Sequence, residues 1–209
     1  MDNTKNAVAI FDKLANLYQT KFMDVRLYHE ALDYYCATAT NSGEILELAC
    51  GPGNITRYLL NKRPDLKILA TDLSPVMIKL AQTNNPEAQF MLMDCRNMPD
   101  NETYDGIICG FAMPYLTRDE ALQLIETAAN RLKPRGLLYI STIEDAYTNS
   151  QFKKTSTGDD QIFMHYHEAE YLLRAIQENH LEVAHVSRVN TLEPDGKTTT
   201  DLLIIASKS

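Results

Sequence analysis

Two glycines and the acids around them mark where this chain could do chemistry. Gly51 and Gly53 flank Pro52 directly after the run Ile45-Leu46-Glu47-Leu48-Ala49-Cys50, and Asn54-Ile55-Thr56 then opens a helix. Backbone without side chains lets a ligand approach closely at such a strand-to-helix turn. Asp72 closes a second apolar run, Leu66-Lys67-Ile68-Leu69-Ala70-Thr71. An acid about 20 residues past a glycine-rich turn is placed to hydrogen-bond a ribose diol. The pattern therefore predicts a bound nucleoside cofactor. A dinucleotide fits it poorly, because the fingerprint wants glycine or alanine three residues past the second glycine, and Thr56 stands there. Glu47, inside the strand, would repel a pyrophosphate and suits a cofactor with a cationic end.

S-adenosylmethionine has such an end, an ammonium and a sulfonium beside its ribose. The stretch Glu47-Leu48-Ala49-Cys50-Gly51-Pro52-Gly53 resembles the first motif, acid-x-Gly-x-Gly-x-Gly, of the class I S-adenosylmethionine-dependent methyltransferases, with Ala49 in place of the first glycine. The resemblance implies roles for individual residues. Backbone at Ala49, Gly51 and Gly53 would approach the methionine portion, and Glu47 would hold the ammonium directly or through water. Asp72 would accept both ribose hydroxyls on its two oxygens, with Leu73 and Met77 against the adenine. Asp94, ending Phe90-Met91-Leu92-Met93, would accept the adenine amino group, with the Cys95 amide facing the ring. Tyr104-Asp105-Gly106-Ile107-Ile108-Cys109-Gly110-Phe111 resembles the family's fourth strand, which brings Cys109 to the cofactor site. Tyr18 would touch the carboxylate or close the pocket; packing on a helix face accounts for it equally well.

The elements that must position these residues alternate. Residues 7–40 read as helical, with Phe11, Leu14, Ala15 and Tyr18 at helical spacing. Strand and helix patterns then follow in turn: helix Asn54 to Asn61, strand Leu66 to Thr71, a helix capped by Ser74-Pro75, strand Ala88 to Met93 and strand Tyr104 to Cys109. Thr117-Arg118-Asp119-Glu120 is a capping box for a helix carrying Leu122, Ile125, Ala129 and Leu132, which Lys133-Pro134-Arg135-Gly136 should stop before strand Leu137 to Ile143. Helix Glu168 to Asn179 precedes strands Leu181 to Val189 and Thr200 to Ala206. This order predicts an α/β fold with a doubly wound, mostly parallel sheet whose ligands lie beyond the strands' carboxyl ends. The family resemblance makes it seven-stranded and Rossmann-like, with the last strand antiparallel. The expected organisation is an N-terminal helical cap over 1–40 and a methyltransferase domain over 41–209. The latter holds a mobile, lid-like insertion at about 144–165, polar from Glu144 to Asp160.

Composition narrows the partners. At 209 residues and 44% apolar content the chain suits one domain with a real core. A formal charge of −8 argues against a phosphate backbone as partner. Cys36, Cys50, Cys95 and Cys109 show no paired spacing, so neither a disulfide framework nor a zinc site is expected. The first residues carry no signal-peptide pattern and no run reaches membrane-spanning length, which makes the cytoplasm the expected compartment. Ala112-Met113-Pro114-Tyr115 lacks the Asn/Asp-Pro-Pro-aromatic motif of amino-adenine and amide methyltransferases. The expected acceptor is a small molecule, with a protein or RNA acceptor, or a cofactor-binding module without transfer, as alternatives. Candidates for the acceptor pocket are Tyr28, Tyr115, His165, Tyr166 and His167. Loop or helix-start histidines are the plain reading of the last cluster. No catalytic residue can be named, because a base is needed only when the acceptor must lose a proton.

Overall fold

The computed structural model describes residues 3–155, 157–192 and 196–209. In chain order the elements are α1 (Asn3–Phe22), a 3₁₀ turn (Arg26–Tyr28), α2 (His29–Thr38), β1 (Glu44–Leu48), α3 (Asn54–Lys62), β2 (Lys67–Asp72), α4 (Pro75–Asn84) and β3 (Gln89–Leu92). After them come β4 (Tyr104–Gly110), α5 (Arg118–Arg131), β5 (Leu132–Glu144), β6 (Gln151–Lys154), β7 (Gln161–Met164), α6 (Ala169–Glu178), β8 (Leu181–Leu192) and β9 (Thr198–Lys208). Seven strands form one sheet in the order β3-β2-β1-β4-β5-β9-β8. The first five pair in parallel, and β9 runs antiparallel to both β5 and β8. Chain order reverses between β1 and β4, the switch point at which such sheets open a crevice.

The apolar runs are continuous because both faces of the central strands are covered. Leu46, Leu48, Ile107 and Leu138 pack under α5 and α6 through Leu124, Ile125, Leu172 and Ile176. Ile45, Ile68, Ile108 and Tyr139 pack under α2 and α3 through Leu32, Tyr35, Ile55 and Leu59. Ser74 caps α4 by accepting the Met77 amide at 3.0 Å, and Thr117 with Glu120 forms the expected capping box on α5. Among the described residues no helix is long and apolar enough to cross a membrane.

Two expectations change. Lys133–Gly136 is not a stop between helix and strand. The helix ends at Arg131, Leu132 is the first residue of β5, and the register slips between Tyr104–Leu132 and Gly106–Leu137. Pro134 cannot continue a helix, and Arg135 sits at φ 62°, so the surplus residues become an irregularity inside the pairing. The polar insertion carries regular structure: β6 and β7 pair from Gln151–Met164 to Lys154–Gln161 as a separate hairpin. Period-2 burial is missing from β6, all four of whose residues are exposed, so its sequence carries no strand signal.

The hairpin leans on α1. Ala7, Ile10 and Ile162 share a small core with Phe11, Leu14, Tyr115 and Met164, and Lys13 Nζ lies 2.7 Å from Asp160 Oδ2. Further along, α1 is fastened to the glycine turn and to α4. Asn84 Nδ2 donates to Gln19 Oε1 at 2.7 Å and to the Pro52 carbonyl at 2.8 Å, and Asn54 Nδ2 donates to the Phe22 carbonyl at 2.9 Å. α1 thus lies across the carboxyl ends of the strands.

Candidate functional site

Under α1 the ends of β1 to β4 enclose a cleft with about 730 Å³ of empty space, its open mouth included. Small-molecule sites span about 300–1,000 Å³. Ala49, Gly51, Asp72, Leu73, Met77, Asp94 and Cys95, all expected at a cofactor site, line it together with Tyr18 and Tyr115.

The turn after β1 needs left-handed backbone at Ala49 (φ 52°), Gly51 (φ 55°) and Gly53 (φ 79°). An alanine there costs about 1–2 kcal/mol, which explains why the family motif has glycine at the Ala49 position. A side chain at Gly53 would sit 2.3 Å from Asn85 Nδ2, whose amide donates to the Gly53 carbonyl at 2.9 Å. Gly53 therefore seats the turn on α4 and is not on the cleft wall. Gly51 is, facing the Tyr18 ring.

Asp72 is the organising acid. Its Oδ2 accepts the Gly51 amide and its Oδ1 the Ser74 amide, both at 2.8 Å. Each oxygen keeps acceptor capacity toward the cleft. Burial raises its carboxyl above the usual range against the pull of those amides. Ser74 Oγ donates in turn to Asp12 on α1. Burial, with the Asp72 charge behind it, pushes the Tyr18 hydroxyl up to about 12, so Tyr18 faces the cleft as a neutral donor.

Asp94 is held by Arg96, whose Nη2 lies 2.6 Å from Oδ2 and whose Nη1 reaches Glu120 at 2.7 Å. Burial pushes the Asp94 carboxyl up, but the hydrogen bonds from Arg96 outweigh it and hold it low. Cys95, pushed up to about 12 by burial, stays a thiol.

Other expected residues are elsewhere. Glu47 does not reach the cleft wall: it is 1% exposed, and Thr56 Oγ1 donates to its Oε2 at 2.5 Å. Burial lifts its carboxyl to about 7. It is the fourth of the five residues of β1, paired with Ala70 and Ile108 on the two sides, and its carboxylate is engaged by Thr56 at the start of α3. Cys109 is fully buried in the core under α5. Tyr28 stands behind the wall, its ring 5.0 Å from Phe111 and its hydroxyl donating to Asp201 Oδ2 at 2.8 Å.

The histidine cluster fastens the hairpin. His165 N–H donates to the Pro114 carbonyl at 2.8 Å, and its ring stacks on Tyr147 at 5.7 Å. His167, fully buried, has Nε2 2.8 Å from the Met113 carbonyl and Nδ1 against the Tyr171 hydroxyl. The carbonyl fixes the proton on Nε2, and burial lowers the ring to about 4. Tyr166 is buried, and its amide donates to Ser150 Oγ at 3.1 Å. None of the three lines the cleft.

Phe11, Ser74, Phe111 and Leu116 line it without having been singled out as site residues. Phe111 follows Gly110 at the end of β4, has φ 55° and donates its amide to Ser141 Oγ at 3.0 Å. An aromatic residue right after a strand-terminal glycine was the available signal. Arg96, two residues past Asp94, was the other.

Comparisons with known proteins bear on the fold and on the stretch that carries the glycine turn. Residues 45–136 match the family model described as methyltransferase domain. A malonyl-[acyl-carrier protein] O-methyltransferase of Halalkalibacterium halodurans is 35% identical over 105 residues, which are 47% of this chain and 38% of that protein. A trans-aconitate 2-methyltransferase of Variovorax paradoxus is 34% identical over 100 residues, 47% of this chain and 38% of its own length. The matched stretches thus span well under half of these curated relatives. A Burkholderia thailandensis 1,6-didemethyltoxoflavin-N1-methyltransferase, solved with its acceptor and S-adenosylhomocysteine, superimposes with a TM-score of 0.72 at 17% identity, covering 100% of this chain and 91% of that one. Residues 45–136 thus match a methyltransferase domain, and the fold of the chain is the Rossmann-like one of that solved structure.

Proposed function

We propose that this chain transfers a methyl group from S-adenosylmethionine to a small-molecule acceptor. The observation that carries the reading is the position of Asp72: buried at the end of β2, ordered by the amides of Gly51 and Ser74, with one acceptor direction left on each oxygen for a ribose diol. The residues around it fit the same cofactor. Leu73 and Met77 offer apolar contact to an adenine, and Asp94 and the Cys95 amide offer polar contact at its edge. Gly51 brings backbone to the methionine portion, with Tyr18 above it.

When bound, S-adenosylmethionine supplies a methyl group already activated by its sulfonium. The chain's own part is then orientation and exclusion of water, and orientation alone contributes up to roughly 7–11 kcal/mol. Phe11, Tyr18 and Tyr115 close the cleft with aromatic surface, Phe11 packing edge-on against both tyrosines at 5.7 and 5.2 Å. Glu47 acts from behind: it accepts from Thr56 at the start of α3 and so steadies the glycine turn. The hairpin β6–β7 and α1 form the lid.

The relative named for trans-aconitate supports an acceptor of small-molecule size. The family match ends at residue 136, before most of β5, the hairpin and β8–β9, so acceptor identity does not carry over from it. Incubation with methyl-labelled S-adenosylmethionine and a metabolite panel tests the reading. Label in a small product supports it. Label confined to added protein or RNA, or none while S-adenosylhomocysteine binds, rejects it.

A further inference from the structure

The charge of the cleft limits what can be methylated there. Its ionisable lining consists of Asp72, Asp94, Tyr18, Tyr115 and Cys95; no lysine, arginine or histidine is among the described residues that line it. Two cations on neighbouring segments are committed elsewhere. Arg96 is held between Asp94 and Glu120, and Lys13 on α1 lies 2.7 Å from Asp160. More acids stand behind the walls: Asp12 at Ser74, Glu47 behind Thr56, and Asp201 behind Tyr28, whose ring backs Phe111.

An anion in such a place loses hydration with no cationic side chain on the lining to offset it. A neutral group loses little, and a cation gains from the aromatic faces and the acids. With an adenosyl group against Asp72, Leu73 and Asp94, the wall left for the acceptor is Phe11, Phe111 and Tyr115. That wall is apolar and aromatic, with the Phe11 ring edge-on to Tyr115.

Resting on the cofactor reading above, we infer that the acceptor binds as an uncharged or cationic molecule with an apolar face, seated on the Phe11–Phe111–Tyr115 wall, and that carboxylate or phosphate acceptors are disfavoured there. The probes are three indoles on one skeleton: indole-3-ethanol, tryptamine and indole-3-acetate. Saturation-transfer NMR and titration are run at neutral pH on protein first saturated with S-adenosylhomocysteine. The ethanol or the amine should bind at least tenfold more tightly than the acetate. Tyr115→Arg, checked for folding by its retained S-adenosylhomocysteine affinity, should narrow that gap by placing a cation on the wall. Indole-3-acetate binding as tightly as the other two, or no binding of any of them, overturns the inference while the cofactor reading stands. Failure to saturate with S-adenosylhomocysteine overturns both, and it is visible before any probe is added.

Discussion

The glycine turn with Asp72 and the hairpin β6–β7 both touch α1, yet they are made in opposite ways. The turn is anchored from within the sheet. Asp72 orders two amides, Asn85 and Asn84 hold the carbonyls of Gly53 and Pro52, and Glu47 and Thr56 lock behind them. The hairpin is held from outside the sheet: Ile162 and Met164 against α1 and Tyr115, the Lys13–Asp160 pair, the His165 amide on Pro114 and the His167 ring on Met113. A rigid wall suits a cofactor that never changes, and one held from outside the sheet suits a site that must open for an acceptor. This division is the comparison to break.

Asp72→Ala should break it most visibly. Two charge-assisted hydrogen bonds of roughly 1.5–3 kcal/mol each disappear, so calorimetric titration should show S-adenosylhomocysteine affinity falling by at least a hundredfold. Asp160→Ala at the hairpin should change it less than threefold. Equal losses would mean that the two regions are not different in kind.

Left-handed glycines give a second contrast. Gly53→Ala adds backbone strain of about 1–2 kcal/mol and drives a methyl group into Asn85. Gly158→Ala, at φ 80° with nothing within 4 Å, adds the strain alone. Denaturant midpoints should fall for both, and clearly further for Gly53→Ala.

Proton linkage sharpens the picture. Burial raises Glu47 from 4.5 to about 7, so the folded state binds this proton more tightly than the unfolded chain. Its contribution is full below about 4.5 and is lost as pH rises through about 7. His167, lowered from 6.5 to about 4, works the other way: its contribution is present above about 6.5 and lost as pH falls through about 4. Glu47→Gln removes only the first. Its stability relative to the unaltered chain should therefore be higher at pH 8 than at pH 5, as read by urea melts. A constant difference across that range would show that Glu47 does not titrate there.

The smallest effect belongs to the hairpin itself. Lys153 and Lys154 are exposed in β6, and cleavage needs locally open backbone. Trypsin should cut there faster in the free protein than with S-adenosylhomocysteine bound. Equal rates would separate the hairpin from the cofactor.

What the sequence made legible follows the same divide. Glycines, strand-end acids and the Ser74 and Thr117 caps act within a few residues, so β1 to β4 and the positions of Asp72, Asp94 and Cys95 at one place could be read directly, while the seven-stranded sheet with its antiparallel last strand followed from the family resemblance. Glu47 lies in β1 as expected, but spacing along a strand does not show that its carboxylate is buried against Thr56. The His165–His167 run read as chemistry or ordinary loop; its partners, Pro114 and Met113, are some fifty residues away along the chain. The hairpin escaped because β6 buries nothing and β7 is held by α1, a contact between distant segments. Pro134 and Gly136 signalled a break, but not that the pairing of β4 and β5 would absorb it.

The central claim is that the cleft beneath α1 is built for a cationic adenosyl cofactor. Side-by-side calorimetric titration of one protein sample with S-adenosylmethionine, S-adenosylhomocysteine and NAD tests it most directly. The account predicts saturable binding of the first two at one site per chain, both abolished or severely weakened by Asp72→Ala, and NAD binding at least tenfold weaker. NAD binding as tight as S-adenosylmethionine, or affinity indifferent to Asp72, would contradict it.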